Sequence, residues 1–215
     1  MSYLLSLYKR CNKSESNFYY VILNAIFVKI LYKKKLYLHQ KVIIEGIRNI
    51  YSTKRIEVGL NYVGFMHRTD KTYLNIKGKL IINGNFSIGR GCRFDIGENA
   101  IVTFGNGGYI NANTKLIIMH NCTIGDNCAI SWDCQIIDED FHNIIYPGKI
   151  STNKNDIYIG NHVLVGSKCT ILKGANIPNG CVIASGSIVN KYFLEENCLL
   201  GGIPAKVIRR NISWN

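Results

Sequence analysis

Residues 159–189 read IGNHVLVGSKCTILKGANIPNGCVIASGSIV, and an aliphatic side chain returns at every sixth position: Ile159, Val165, Ile171, Ile177, Ile183 and Val189. A strand alternates every two residues and a helix every 3.6, so a strict period of six predicts short strands joined by regular corners. Each strand is too small to bury an apolar face until neighbouring turns of the chain stack on it. The same frame runs earlier through Ile76, Ile82, Ile88 and Phe94, shifts by two to Ile96 and Val102, and continues through Ile110 and Leu116 to Ile124, Ile130 and Ile136. Glycine often follows the aliphatic residue, as at Ile88-Gly89, Ile124-Gly125 and Val165-Gly166, which suits a corner needing permissive backbone angles. The pattern predicts an all-β solenoid.

Six of the eight cysteines, Cys92, Cys122, Cys128, Cys134, Cys169 and Cys181, follow the same period, and Ala100, Thr114, Ala175 and Ser187 fill the equivalent slot elsewhere. The slot selects a small side chain, which a free thiol supplies as a compact hydrophobe. No CxxC occurs, so neither a zinc site nor a disulfide framework is indicated, and that many unpaired thiols fit a reducing cytoplasm.

Charge divides the chain unevenly. Of the net +12, residues 1–60 carry eleven Lys or Arg against Glu15, Glu45 and Glu57, a balance of +8. A basic appendage over residues 1–60 and a solenoid domain over 61–215 are therefore expected. Such an appendage suits a membrane surface or a polyanionic glycan, whereas no motif points to nucleic acid. Within it, Phe18–Tyr32 (FYYVILNAIFVKILY) precedes Lys33, Lys34 and Lys35. Fifteen residues interrupted by Asn24 and Lys29 fall short of a spanning helix, and there is no small-residue cleavage site of a signal peptide. Two readings stand: an interfacial helix whose basic end meets anionic lipid, or an element packed on the end of the repeat stack.

The hexads stop after Ile136 and resume at Ile157 or Ile159, leaving an inserted loop, 138–156, that opens Asp138-Glu139-Asp140-Phe141-His142. In an extended segment Asp138, Asp140 and His142 share a side, so a carboxylate can fix one imidazole nitrogen and leave the other as a base. General-base chemistry on an alcohol needs that arrangement. Cys134 is the competing nucleophile, although its slot predicts an inward thiol with no base beside it.

The hexads, this loop and the late stretch Gly201-Gly202-Ile203-Pro204-Ala205-Lys206-Val207-Ile208-Arg209 together resemble the hexapeptide-repeat acyltransferases, in particular their sugar and polysaccharide O-acetyltransferase branch, over residues 76–212. The resemblance implies a left-handed parallel β-helix of triangular cross-section, a homotrimer with active sites between subunits, acetyl-CoA as co-substrate, no metal, and a sugar hydroxyl of a bacterial surface glycan as acceptor. It puts the catalytic base on His142, its orienting carboxylate on Asp138 or Asp140, and the oxyanion-stabilising amide on Ser167. Substrate-binding Asn111 falls in Tyr109-Ile110-Asn111-Ala112-Asn113. The donor stretch falls on Gly166, Ser185, Gly186, Asn190 and Lys191, with Lys206 and Arg209 meeting the CoA phosphates. Leu164 stands where many relatives have Trp, and Trp132 or Trp214 is the replacement candidate. The enzyme is expected in the cytoplasm, with peripheral contact at the inner face of the membrane through the basic segment. Competing readings are a small-molecule acceptor (a free sugar, an antibiotic or serine), a noncatalytic scaffold, and a zinc carbonic anhydrase, whose closely paired histidines are missing here.

Overall fold

The computed structural model describes residues 3–143, 145–147, 149–150 and 155–215. Its core is a triangular prism of parallel strands wound as a left-handed β-helix. Face A stacks Lys35–Leu38, Arg55–Val58, Phe86–Ile88, Tyr109–Ile110, Ala129–Ile130, Leu164–Val165, Val182–Ile183 and Leu199–Gly202, closed by the antiparallel strand Ala205–Arg209. Face B runs from Val42–Glu45 through Thr72–Ile76, Arg93–Ile96, Lys115–Ile118, Gln135–Ile137 and Thr170–Leu172 to Ile188–Val189. Face C runs from Ile50–Tyr51 through Lys79–Ile82, Ile101–Phe104, Asn121–Ile124 and Ile157–Ile159 to Asn176–Ile177.

The two-residue frame shift has a packing cause. Ile88 pairs with Ile110 and Val165 pairs with Ile183, so one turn of the prism shortens from 22 residues to 18 along the stack. The wider turns carry two inward side chains per strand, such as Phe94 with Ile96 and Val102 with Phe104. Aromatic rings fill the extra width: Phe86 stacks on Phe104 with centroids 4.6 Å apart, and Phe94 meets the same ring edge-on at 6.3 Å. Beyond Ile159 the strands shorten, aliphatic residues suffice, and strict hexads appear.

All eight cysteines are buried and unpaired, and burial pushes the Cys92 and Cys134 thiols up to about 12. Smallness is only half of what the slot selects. Cys92 Sγ donates to the Asn111 carbonyl (3.1 Å), Thr114 Oγ1 to that of Ser131 (3.1 Å), Cys134 Sγ to that of Gly166 (3.2 Å) and Cys169 Sγ to that of Ala184 (3.1 Å). At the corner between faces A and B the slot thus holds small side chains that donate to the next coil, whereas Ala100 and Ala175 fill it without a donor at the corner between faces B and C.

The prism begins near residue 35 and not at 61, because Lys35–Val58 already contribute strands to all three faces. The charge bias marks an outer surface, and an outward-facing lysine is compatible with a strand whose alternate residues are buried. What precedes the prism is a helical pair, α1 (Tyr3–Lys13) and α2 (Phe18–Tyr32). Asn17 caps α2 by accepting from the Tyr20 amide (3.0 Å), and Lys33 ends it in the left-handed conformation, its amide on the Lys29 carbonyl. Val28 of α2 joins the main core beside Leu36 and Leu38, which only the open end of the stack allows, while Leu7, Cys11, Val21 and Leu60 form a satellite cluster. Buried Arg90 ties the helices to the prism: its guanidinium donates to the carbonyls of Ser14 (2.8 Å), Gly59 (3.0 Å) and His67 (3.2 Å).

Candidate active site

Where face A turns into face B, successive coils place equivalent residues one above another. Asn113 donates its amide to the Arg90 carbonyl, Asp133 to Ala112, Lys168 to Trp132 and Gly186 to Ser167, all within 3.0 Å. Arg90, Ala112, Trp132, Ser167 and Ser185 thus occupy one corner position in five consecutive coils. The next residue is left-handed in each, as Gly91, Asn113, Asp133, Lys168 and Gly186. Gly, Asn and Asp tolerate that conformation, which is the sequence signal of the corner. Asn111 and Gly166 share the position just before it. Residues expected to hold acceptor (Asn111, Trp132), oxyanion (Ser167) and donor (Gly166, Ser185, Gly186) therefore line a single edge of the prism.

Local detail on this edge suits the expected chemistry. The Gly166 and Lys168 amides are donated within the stack, whereas that of Ser167 has no protein acceptor among the described residues. The Ser167 and Ser185 hydroxyls are 3.3 Å apart. A Cβ on Gly166 would sit 2.7 Å from the Ser185 amide nitrogen, so close stacking of the two coils requires glycine there. Asn111 and Trp132 line a cavity of about 470 Å³ shared with Arg10 and Lys13 of α1 and with Asn61, Tyr62 and Val63. Trp132 meets Phe65 edge-on at 5.7 Å. It is also the only tryptophan on this edge, because Trp214 stacks on His162 (4.2 Å) at the corner between faces C and A and donates Nε1–H to the His162 carbonyl. Trp132 thus lies on the edge of Asn111 and Ser167, whereas Trp214 packs on His162, two residues before Leu164.

The residues expected to bind the donor separate into two places. Lys191 and Lys206 line a cavity of about 290 Å³ near the C-terminal strands, but Asn190 and Arg209 do not line it. Both are exposed.

His142 lies at a different edge, where face B turns into face C. The loop leaves at Asp138 and returns at Asn155, whose amide donates to the Asp138 carbonyl (3.3 Å). Part of the expected loop, residues 144, 148 and 151–154, lies outside the described residues. His142 is exposed, and it follows Phe141, a bulky residue held at φ 64°. Asp138 and Asp140 do not orient its ring. Asp138 is buried and spends one oxygen on the Met119 amide and the other on the His120 amide, both at 2.8 Å. Burial raises its pKa, and those two N–H bonds oppose the rise. Asp140 Oδ2 pairs with Lys173 Nζ at 2.5 Å. Same-side alternation fails because the left-handed turn at Phe141 breaks the extended chain.

A carboxylate–imidazole pair does form at this corner, from residues the hexad frame had passed over: His120 Nε2 is 3.0 Å from Glu139 Oε2. The signal available in sequence was that His120 sits one coil before the acidic loop. Cys134 offers no nucleophile, being buried with its raised thiol on the Gly166 carbonyl. Among the described residues no three His, Cys, Asp or Glu gather to hold a metal.

The chain is 38% identical over 210 residues to an uncharacterised 24.8 kDa protein in the cps region of Klebsiella pneumoniae, covering 97% of this chain and 94% of that one. It is 26% identical over 148 residues to an Escherichia coli K-12 protein, WbbJ, provisionally named a lipopolysaccharide biosynthesis O-acetyl transferase (64% and 75% covered). Among solved structures, a galactoside acetyltransferase in complex with coenzyme A superposes with a TM-score of 0.50 and 27% identity, over 60% of this chain and 64% of that one. No family profile matches the chain.

Proposed function

Because this chain belongs to the hexapeptide-repeat acyltransferases, in the branch that acetylates sugars, we propose that it moves an acetyl group from acetyl-CoA to a hydroxyl of a bacterial surface polysaccharide or its precursor. The observation that carries the reading is the single prism edge on which the expected acceptor, oxyanion and donor residues stack. Donor and acceptor are held together, so transfer needs no covalent enzyme intermediate. His142 takes the proton from the acceptor hydroxyl as its oxygen bonds to the thioester carbonyl carbon. The oxyanion that develops is received by the Ser167 amide. The carbon–sulfur bond then breaks, and the imidazolium returns the proton to the CoA thiolate. Lys191 and Lys206 supply fixed charge to the donor phosphates, with Arg209 as a further contact. The role of Asp138 is to clamp the loop to the preceding corner. A second base is His120, favoured by its pairing with Glu139.

Within one subunit the His142 loop and the Asn111–Ser167 edge are separated by the width of face B. Four strand residues span roughly 13 Å, too far for a general base to act. We place the site between subunits of a homotrimer, the loop of one facing the edge of the next.

The enzyme works at the inner face of the cytoplasmic membrane. Helix α2 buries Val21, Ala25 and Val28 but exposes Leu23, Ile26, Phe27, Ile30 and Leu31, with Lys29, Lys33 and Lys35 alongside. No described helix is long and apolar enough to cross a bilayer, whereas an apolar stripe edged with lysine suits insertion at headgroup depth. Sedimentation with anionic liposomes that is unchanged by Leu23→Ser/Phe27→Ser/Ile30→Ser would reject this location. The activity itself is tested by thiol release from acetyl-CoA against free sugars, sugar nucleotides and glycan oligomers. Turnover confined to free sugars or antibiotics would replace the glycan with a small acceptor.

A further inference from the structure

The acceptor cavity does not end at Asn111. A second cavity of about 360 Å³ adjoins it along face A, and Arg10, Asn61 and Tyr109 line both. Each has the volume of a small-ligand site, so a single sugar ring fills one and leaves the other to its neighbours. The walls are α1 on one side and the 59–71 segment on the other, which is inserted between the strands Arg55–Val58 and Thr72–Ile76 at the same prism edge. Tyr62, Tyr109 and Trp132 are partly exposed rings, and Asn61 and Asn111 supply amides. Rings for the C–H faces of sugars beside amides for their hydroxyls make a carbohydrate-binding surface.

Charge narrows the ligand class. Glu57 is the acid of the groove, and it is consumed from beneath: it is buried, accepts from Arg10 Nη2 (3.0 Å) and the Tyr3 hydroxyl (3.1 Å), and pairs with Arg55 Nε (3.1 Å). Two guanidiniums on one carboxylate leave an excess positive charge. Lys13 adds another, because its ammonium lies over the Tyr62 ring at 5.4 Å and meets no carboxylate among the described residues. An ammonium held on an aromatic plate, over a groove already in cationic excess, favours an acidic sugar residue.

We infer that the groove from Asn111 to Tyr3 is an extended acceptor subsite that binds acidic sugar residues flanking the one acetylated, with Lys13 as their counter-charge and Tyr62 and Trp132 as stacking plates. The inference rests on the acetyltransferase reading above and deepens it: the acceptor is an anionic oligomer and not a monosaccharide. It also gives α1 a task at the site.

Binding is measured by calorimetry and tryptophan fluorescence on the full chain without acetyl-CoA, using tetragalacturonate as the acidic probe and maltotetraose as the neutral one. Tetragalacturonate binds at least tenfold more tightly than maltotetraose, and the gap closes as salt rises. Lys13→Glu weakens tetragalacturonate roughly tenfold and Lys13→Gln less, with maltotetraose changed under about twofold. Lys13 is exposed, so both variants are expected to keep the wild-type melting temperature. Equal affinity for the two probes, no tetragalacturonate binding, no effect of Lys13→Glu in a folded protein, or displacement of the probe by CoA each overturns the inference. Acidic-oligomer binding that depends on Lys13, without thiol release for any acceptor, would leave the subsite standing and sink the acetyltransferase reading instead.

Discussion

Along the edge between faces A and B, two ladders of hydrogen bonds join each corner to the next, one from backbone amides and one from Cys and Thr side chains. The edge between faces B and C keeps that regularity only until Ile137, after which the chain leaves the prism and is held at its root by Asp138. The first edge is braced at every corner by its neighbours, which suits its proposed role of holding donor and acceptor in register. The second carries the proposed base, His142, on a segment that begins where the strand ladder of face B ends. A trimer would bring a rigid edge of one subunit against the loop of another, dividing positioning from proton transfer between chains.

The largest effect that tests this division is at the loop. His142→Ala should leave the melting temperature unchanged and lower kcat by on the order of 10²- to 10⁴-fold; a folded variant with near wild-type turnover, beside an inactive His120→Ala, would hand the base to the His120–Glu139 pair. Complementation sharpens the comparison further. Co-expressed His142→Ala and Asn111→Ala chains should form mixed trimers in which about a quarter of the sites pair an intact loop with an intact edge, as random C3 assembly requires. Activity no greater than that of the two variants measured separately would put both residues to work within one subunit.

Substitutions at the donor end should separate from those at the acceptor end. Lys206→Ala is expected to weaken CoA roughly tenfold with little change for the acceptor, as loss of a charge-assisted phosphate contact does, and Asn111→Ala should do the reverse. Titrations showing equal losses of CoA affinity for both would erase the division of the edge.

Acid should loosen the braced edge before the loop matters. His39 is fully buried beside Arg90 at the same corner, and burial, then the charges of Arg90 and Lys41, hold its pKa down at about 4. A base with a depressed pKa contributes stability above its ordinary value near 6.5 and loses it as pH falls towards 4, on the order of 3 kcal/mol for a shift of this size. His39→Asn keeps an acceptor for the Lys41 amide, which His39 Nδ1 now receives at 3.1 Å, and should flatten the pH dependence of unfolding over that window. An unchanged slope would assign acid sensitivity elsewhere. The smallest effect is expected at Cys134→Ser, which keeps a donor for the Gly166 carbonyl: kcat within about twofold, since a thiol this deeply buried takes no part in transfer.

The prism was legible because its hexads are a packing rule written at fixed intervals, and left-handed corners advertise themselves through Gly, Asn and Asp. Stacking of Asn111, Trp132 and Ser167 on one edge follows from the same rule once coils are aligned. Two things were not legible. Period says nothing about where an insertion sends its side chains, so the carboxylates beside His142 were expected on its ring, whereas one holds the loop root and the other meets Lys173. Likewise the contribution of Arg10, Lys13 and Tyr62 to the cavity beside Asn111 depends on Arg90 pulling two non-repeating segments together over 76 residues of sequence, and no local pattern encodes that.

A stack of parallel strands ends in unsatisfied backbone and bare apolar side chains, which invite another stack to continue it. Here the first coil is roofed by α2 through Val28 and Tyr32, and the last is closed by the reversed strand Ala205–Arg209 lying against Leu199–Gly202. The two ends are unlike, a helix over the first coil and a reversed strand at the last of face A, which disfavours one molecule continuing another. Stripping away the helices would therefore cost solubility as well as any membrane contact, exposing an adhesive end on which chains could elongate.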